Sequence, residues 1–268
     1  MDNAVRISMR QNVKPARLLR LMQLTARCSV LSHPEVPMLE IIRANERGRA
    51  HFGWLKSQHT FSFGDYYNPQ QMGFSALRVI NDDEVAPGAG FSTHGHRNME
   101  IISYVLRGKI AHKDSAGNEE ILPAGEFQLM SAGKGIYHSE YNASQTEILK
   151  FLQIWIEPNQ RDGEPGYQQK DFGNQAGLTW VITPDGRDGT LRIKQDAALA
   201  QLLLTKEQVL DFPVQAGRAY YLHLIEGELA LANVTLAAGD GLKIAAVDKL
   251  QGVATQGPLR ALWFDLPL

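Results

Sequence analysis

Cysteine is nearly absent: the chain of 268 residues has one, Cys28. A single thiol cannot close an internal disulfide, and a zinc site built from thiolates is excluded, so any bound metal must rest on nitrogen and oxygen. Long apolar runs are missing too. None reaches the roughly 18 residues that cross a bilayer, and no charged head followed by an apolar stretch marks a secretory signal. A cytoplasmic protein with no membrane partner is expected. Charge of one sign is scarce: 27 Lys and Arg stand against 29 Asp and Glu, for a net charge of −2. Without a basic run in the body of the chain, the clustered positive surface that grips phosphate backbones is lacking, and direct nucleic-acid binding is not expected. What remains, 44% hydrophobic and 21% charged, is a globular composition. Its length suits two cores of about 100 to 130 residues each.

The first 37 residues stand apart, with six Arg and Lys against only Asp2 and Glu35. Ala16 to Val30 has near-helical spacing of Leu18, Leu21, Met22 and Leu24. A basic, acid-poor leader of this kind reads either as an organelle-targeting segment or as sequence upstream of a true start at Met38, and we favour the second. This extension, residues 1–37, is expected to pack poorly.

From Leu39 onward short β-type runs are closed by turn residues. Phe74 to Ile80 stops at Asn81-Asp82-Asp83, Ile101 to Leu106 at Arg107-Gly108, and Lys109 to Lys113 at Asp114 to Asn118. Glu119 to Leu122, Glu126 to Met130, His138 to Tyr141 and Leu149 to Ile156 continue the series. About eight strands are expected before Pro158. The stretch Glu157 to Gly166 reads as a linker, dividing the chain into 38–157 and 158–268. The second half echoes the first: Leu224 to Gly227 resembles Tyr104 to Gly108, and Leu236 to Gly241 resembles Leu122 to Phe127. An all-β chain of two stacked, jelly-roll-like barrels is expected.

Three of the eight histidines fall in two particular contexts, Thr93-His94-Gly-His96-Arg-Asn-Met-Glu100 and Gly133-Lys-Gly-Ile-Tyr-His138-Ser-Glu140. Residues two apart on a strand share a face, so each doublet presents two donors the same way. Two such doublets on neighbouring strands can converge on one cation, and imidazole with carboxylate suits iron, manganese, nickel, copper or zinc. Glu100 is in phase with His94 and His96, and Glu140 with His138, so strand geometry leaves the carboxylate ligand open. His33 reads as linker, His112 as solvent-facing and His223 as core, while His51 and His59 stay unassigned.

The spacing Gly88-(five residues)-His94-x-His96-(three residues)-Glu100 resembles the first cupin motif, and Gly117-(five residues)-Pro123-x-Gly125 with His138-(three residues)-Asn142 resembles the second. The likeness is closer to the pirin family of cupins, at Phe91 to Glu100, Met130 to Glu140, Leu152 to Ile156 and the opening Leu39 to Gly48. It covers roughly residues 39–268. Seven residues separate Glu100 from Gly108 where the general cupin pattern has six, and the second-motif histidine arrives late, at His138.

The resemblance implies a bicupin whose N-terminal barrel holds one divalent cation, with iron first in order, and whose C-terminal barrel has lost its ligands. It implies His94, His96, His138 and Glu140 as ligands, leaving Glu100 outside the set. It also implies quercetin 2,3-dioxygenase activity: the metal would chelate the flavonol 3-hydroxyl and its neighbouring carbonyl, Glu140 would take the hydroxyl proton, and the electron-rich product would meet O₂. Phe61, Phe63, Met72, Phe74 and Met130 are candidate pocket walls and equally candidate core. Two other readings stand beside this one: a non-enzymatic, metal-dependent regulatory binding protein, and a metal-dependent isomerase.

Overall fold

The computed structural model describes residues 37–268, residue 232 excepted; the expectations for the basic extension and for His33 lie outside the described residues. The described chain is almost entirely β. Its first part runs β1 (Met38–Ile42), β2 (Gly48–His51), β3 (Leu55–His59), β4 (Leu77–Val85), β5 (Gly90–His96), β6 (Glu100–Arg107), β7 (Lys109–Asp114), β8 (Glu119–Pro123), β9 (Glu126–Ser131), β10 (Ile136–Asn142), β11 (Leu149–Ile156) and β12 (Gly166–Asp171). The second part runs β13 (Gly177–Thr183), β14 (Leu191–Arg192), β15 (Ala198–Leu204), β16 (Val209–Asp211), β17 (Arg218–Leu231), β18 (Val234–Ala237), β19 (Gly241–Ala245) and β20 (Gln251–Pro267).

Two sheets build the first half: seven strands in the order β12-β9-β6-β11-β4-β3-β2, and four in the order β5-β10-β7-β8. They pack on a shared core in which Ile110 and Leu122 of the smaller sheet meet Leu55, Val85, Val105 and Phe151 of the larger. The other face of the large sheet is buried as well. Ile102, Tyr104, Leu152, Ile154 and Ile156 pack with Val181, Ile182, Leu199 and Phe264 of the second half. Burial on both faces explains why β6 and β11 read as nearly continuous apolar runs. The eight strands of the second part, joined by β1, form one nine-stranded sheet with its own core, where Tyr220 stacks on the fully buried Trp263 at 5.0 Å.

Pairing crosses the midpoint in both directions. β1 is antiparallel to β19, so the first described strand belongs to the second sheet system. β12, which follows the linker stretch, returns to pair with β9. The echo between halves has a backbone counterpart: Gly108, between β6 and β7, has φ 85°, and Gly227, inside the continuous β17, has φ 86°. Both use a left-handed conformation open to glycine without strain.

Eleven strands precede Pro158 instead of about eight. The expected strand Phe74–Ile80 is also displaced. β4 begins at Leu77 and continues through Asn81-Asp82-Asp83 to Val85, paired along its length by β11 and from Asn81 to Val85 by β3 as well. Those polar residues carry a turn signature, but the ladders on both sides hold them extended, and Asn81 and Asp83 point to the inner face.

Candidate metal centre

β5 and β10 run antiparallel with His138 opposite His94 and Ile136 opposite His96. Between His138 and Glu140 the register shifts, so that Glu140 faces Phe91 and β5 accommodates one extra residue. Such bulges re-aim side chains at the edges of functional clefts. Here His94 and His96 turn toward His138, with ring centroids 4.8 Å (His94–His96), 4.5 Å (His94–His138) and 4.9 Å (His96–His138) apart. One donor atom from each of the three lies within 4.8 Å of the others.

Hydrogen bonding settles the tautomer of His94. Its Nδ1 lies 2.7 Å from the Ser92 carbonyl, which can only accept, so Nδ1 carries the proton and Nε2 keeps its lone pair. That Nε2 faces His138 Nε2 at 3.1 Å. Burial and the neighbouring imidazoles push His96 down to about 4, and burial with His94 and His112 pushes His138 down to about 3. Those two rings therefore stay uncharged at neutral pH. Three imidazoles whose donor atoms converge within 4.8 Å are a nitrogen set that suits a borderline divalent cation, so the donor chemistry fits such an ion.

Glu140 sits beside this trio rather than in it. It groups instead with His138 and His112, again with donor atoms within 4.8 Å, so His138 is common to both sets. Its carboxylate is held from two sides: Ser103 Oγ donates to Oε1 at 3.0 Å and Gln153 Nε2 donates to Oε2 at 2.8 Å. His112 was expected to face solvent and is instead 1% exposed. Alternation on β7 sends Ile110, His112 and Asp114 inward, and the register sets His112 directly opposite Glu140. Its Nε2 contacts Asp114 Oδ2 at 3.1 Å. Glu100 lies outside both donor groups, with its Oε2 accepting from Ser131 Oγ at 2.8 Å and from the Lys194 backbone N–H at 3.2 Å. His223 is buried in the second half.

A cavity of about 590 Å³ opens at the imidazoles, lined by His94, His96 and Glu140 at one end. Phe52, Trp54, Leu55, Phe63, Tyr66, Phe91 and Trp155 form most of its apolar wall. Trp155 stands edge-on to His96 at 5.0 Å and to Phe63 at 5.3 Å. Of the five expected wall residues only Phe63 lines it. Phe61 is in the core shared by the two halves with Phe74 packed against it, Met130 belongs to a separate buried cluster, and Met72 is exposed. Residues that carried no functional reading also face the cavity: Ser57, Asn81, Asp83, Gln153 and Trp155, together with the unassigned His51 and His59. The alternation Gln153-x-Trp155 on β11 was the available signal for two of them.

Comparison with known proteins places this geometry in a lineage. The sequence profile of the family described as Pirin matches residues 42–156, and that of the quercetinase C-terminal cupin domain matches residues 180–266. A quercetin 2,3-dioxygenase of Escherichia coli K12 is 46% identical over 230 residues, spanning 86% of this chain and 99% of its own length. The chain belongs to the pirin family. Its two halves are accordingly the two cupin domains of a pirin. A pirin-like protein of Caulobacter vibrioides is 41% identical over 201 residues, covering 74% of this chain and 86% of its own. Among solved structures, the bacterial pirin YhhW from E. coli in complex with nickel(II) has a TM-score of 0.83 at 46% identity, over 86% of this chain and 99% of that one. A quercetin 2,3-dioxygenase from Acinetobacter baumannii, at 18% identity and TM-score 0.67, over 85% of this chain and 79% of that one, shares the fold.

Proposed function

We propose that this pirin is a metal-dependent dioxygenase that opens the central ring of a flavonol such as quercetin with O₂. The observation that carries the reading is the convergence of three imidazoles, two of which, His94 and His96, line an aromatic-walled cavity of about 590 Å³. In this reading His94, His96 and His138 would hold one divalent cation, with Glu140 closing on it from beside His138; iron is the proposed ion, and manganese, nickel, copper and zinc are compatible with the same donors. Such a cation, when bound, acidifies a hydroxyl that it chelates and lowers the barrier to its deprotonation near neutral pH.

The chain supplies the rest. Phe63, Phe91 and Trp155 present apolar surfaces against which a flat aromatic ligand lies, excluding water from the reacting end. Glu140 receives the proton of the flavonol 3-hydroxyl. Ser103 and Gln153, each donating to one carboxylate oxygen, keep that group oriented while leaving lone pairs for the proton. The small aromatic substrate and O₂ are thus the partners, and a cytoplasmic location belongs to the same reading; among the described residues no helix is long and apolar enough to cross a membrane.

Quercetin loss coupled to O₂ uptake, measured on protein loaded separately with each of these metals, tests the proposal. Turnover with at least one ion, abolished in His138→Ala, is expected. No turnover with any of them would transfer the case to a metal-dependent regulatory binding protein.

A further inference from the structure

The inner face of the seven-stranded sheet carries more polar chemistry than the imidazoles and Glu140 use. Cross-strand register lines up His59 on β3, Asn81 on β4, Gln153 on β11 and Ser103 on β6 in a single row. One step along, Ser57 faces Asp83. The Gln153–Ser103 end of the row is engaged by Glu140. At the other end Ser57, His59, Asn81 and Asp83 all line the cavity, each at most 5% exposed. Ser57 and Asp83 meet each other only weakly: neither Ser57 Oγ nor Asp83 Oδ1, both buried, has a partner in regular hydrogen-bond geometry among the described residues. An under-satisfied buried carboxyl costs up to about 1–3 kcal/mol, so a native fold keeps one mainly where a ligand or water completes it.

Geometry also fixes the reach. Neighbouring strands lie about 4.8 Å apart, so two steps from β11 to β3 put His59 roughly 10 Å from Gln153. That span matches a flat bicyclic or tricyclic aromatic held by chelating oxygens at the imidazole end. His59 is itself held for the role: its Nδ1 lies 2.8 Å from Asn81 Oδ1, an acceptor, so Nδ1 carries the proton and Nε2 is left to accept. Phe63, at 5.4 Å, and Tyr66, at 6.4 Å, flank the His59 ring. Burial pushes the Asp83 carboxyl up to about 7, so at neutral pH it can either donate or accept.

We propose that Ser57, His59, Asn81 and Asp83 form a second hydrogen-bonding station that binds phenolic hydroxyls on the substrate ring remote from the chelating oxygens, selecting polyhydroxylated flavonols over unsubstituted ones. This rests on the flavonol reading above and names its substrate class. Asp83 is the anchor, because Ser57 leaves most of the hydrogen-bonding capacity of its carboxyl unfilled.

The test compares quercetin with 3-hydroxyflavone, which keeps the chelating hydroxyl and carbonyl but lacks every other hydroxyl. Anaerobic binding to the metal-loaded full chain is read by quenching of tryptophan fluorescence, since Trp54 and Trp155 line the cavity. The wild type is expected to bind quercetin at least about tenfold more tightly, and Asp83→Asn to cut that ratio about tenfold with metal content and 3-hydroxyflavone affinity retained. Ser57→Ala should lower the ratio in the same direction, and it decides the matter if Asp83→Asn melts without cooperativity. Equal binding of the two ligands by the wild type, or a ratio untouched by these substitutions, overturns the station. Turnover separates the two proposals: oxidation of both compounds with the same KM refutes the station and leaves the dioxygenase, while preferential binding of quercetin without turnover refutes the dioxygenase and leaves the station.

Discussion

Replacing Asp83 by Asn gives a pH-dependent stability difference whose size follows from the site. Asp83 is 3% exposed, and burial is the main reason its carboxyl rises from 3.8 to about 7; Ser57 offsets part of the rise, and the charges of Asp82 and Glu140 add to it. A carboxyl with a higher pKa in the folded state than in the unfolded state takes up a proton on folding between those two values. Wild-type stability must therefore fall as pH climbs from about 4 to about 7 and then level off, with a total loss of about 4 kcal/mol from this group. Asparagine has nearly the same shape and no charge at any pH, so the loss disappears in the variant. Urea denaturation of metal-free protein, at intervals from pH 5 to pH 8, measures the effect; metal is omitted because its binding brings its own pH dependence. His96, His138 and His223 have lowered pKa values and impose the opposite slope, but they do so in both proteins and cancel in the difference. Asp83→Asn should match the wild type within about 1.5 kcal/mol at pH 5 and exceed it by about 3–4 kcal/mol at pH 8. Stability curves that stay parallel across this range would mean the carboxyl is solvated, and the account of Asp83 as a desolvated cavity group would be wrong.

Other consequences are simpler to read. His138→Ala removes the donor common to both groups and should abolish stoichiometric metal in elemental analysis, whereas Glu100→Gln should retain it, because Glu100 is tied to Ser131 and Lys194. Gln153→Ala deletes the donor to Glu140 Oε2 and should lower kcat about tenfold while leaving metal bound, as expected for loss of a charge-assisted hydrogen bond to the proposed base. Gly90→Ala would drive a methyl group into the Glu140 carbonyl and the Tyr141 backbone, so thermal melting should show a loss of about 3 kcal/mol together with weakened metal binding.

Much of the imidazole site was legible because strand periodicity is a local property. His94-x-His96 and His138-x-Glu140 announce shared faces in the residues alone, and the structure does bring the three rings together. Glu140's place one step deeper, beside His112, was not legible, since it depends on a bulge in β5 and on which strand pairs with β10. His112 read as solvent-facing for the same reason: Lys113 and the turn after it look exposed, and only the pairing of β7 with β10 shows that the alternate residues face inward. Asn81-Asp82-Asp83 misled most. Their side chains favour turns, yet two flanking strands saturate the backbone, and Asn81 and Asp83, which looked like punctuation, line the cavity. The walls failed in the opposite sense: Phe61 and Phe74 look like pocket aromatics, but they pack in or against the core shared with the second half.

That shared core gives the second half a role although its described residues carry a single histidine. The outer face of the large sheet is apolar, and without Val181, Ile182, Leu199 and Phe264 over it, Ile102, Leu152 and Ile154 would face water at about 1.5–3 kcal/mol each. The contacts reach the site as well. Lys194 donates its backbone N–H to Glu100, the first residue of β6, three residues before the Ser103 that holds Glu140. On the other flank β12 brings Tyr167 back against the ring of His112 at 4.7 Å, with its hydroxyl 3.3 Å from Gln128 on β9. β1 completes the exchange by entering the second sheet system before the chain has built the first. Neither donor group takes a residue from the second half, yet that half fixes the position of the strands on which Ser103, Gln153 and Glu140 depend.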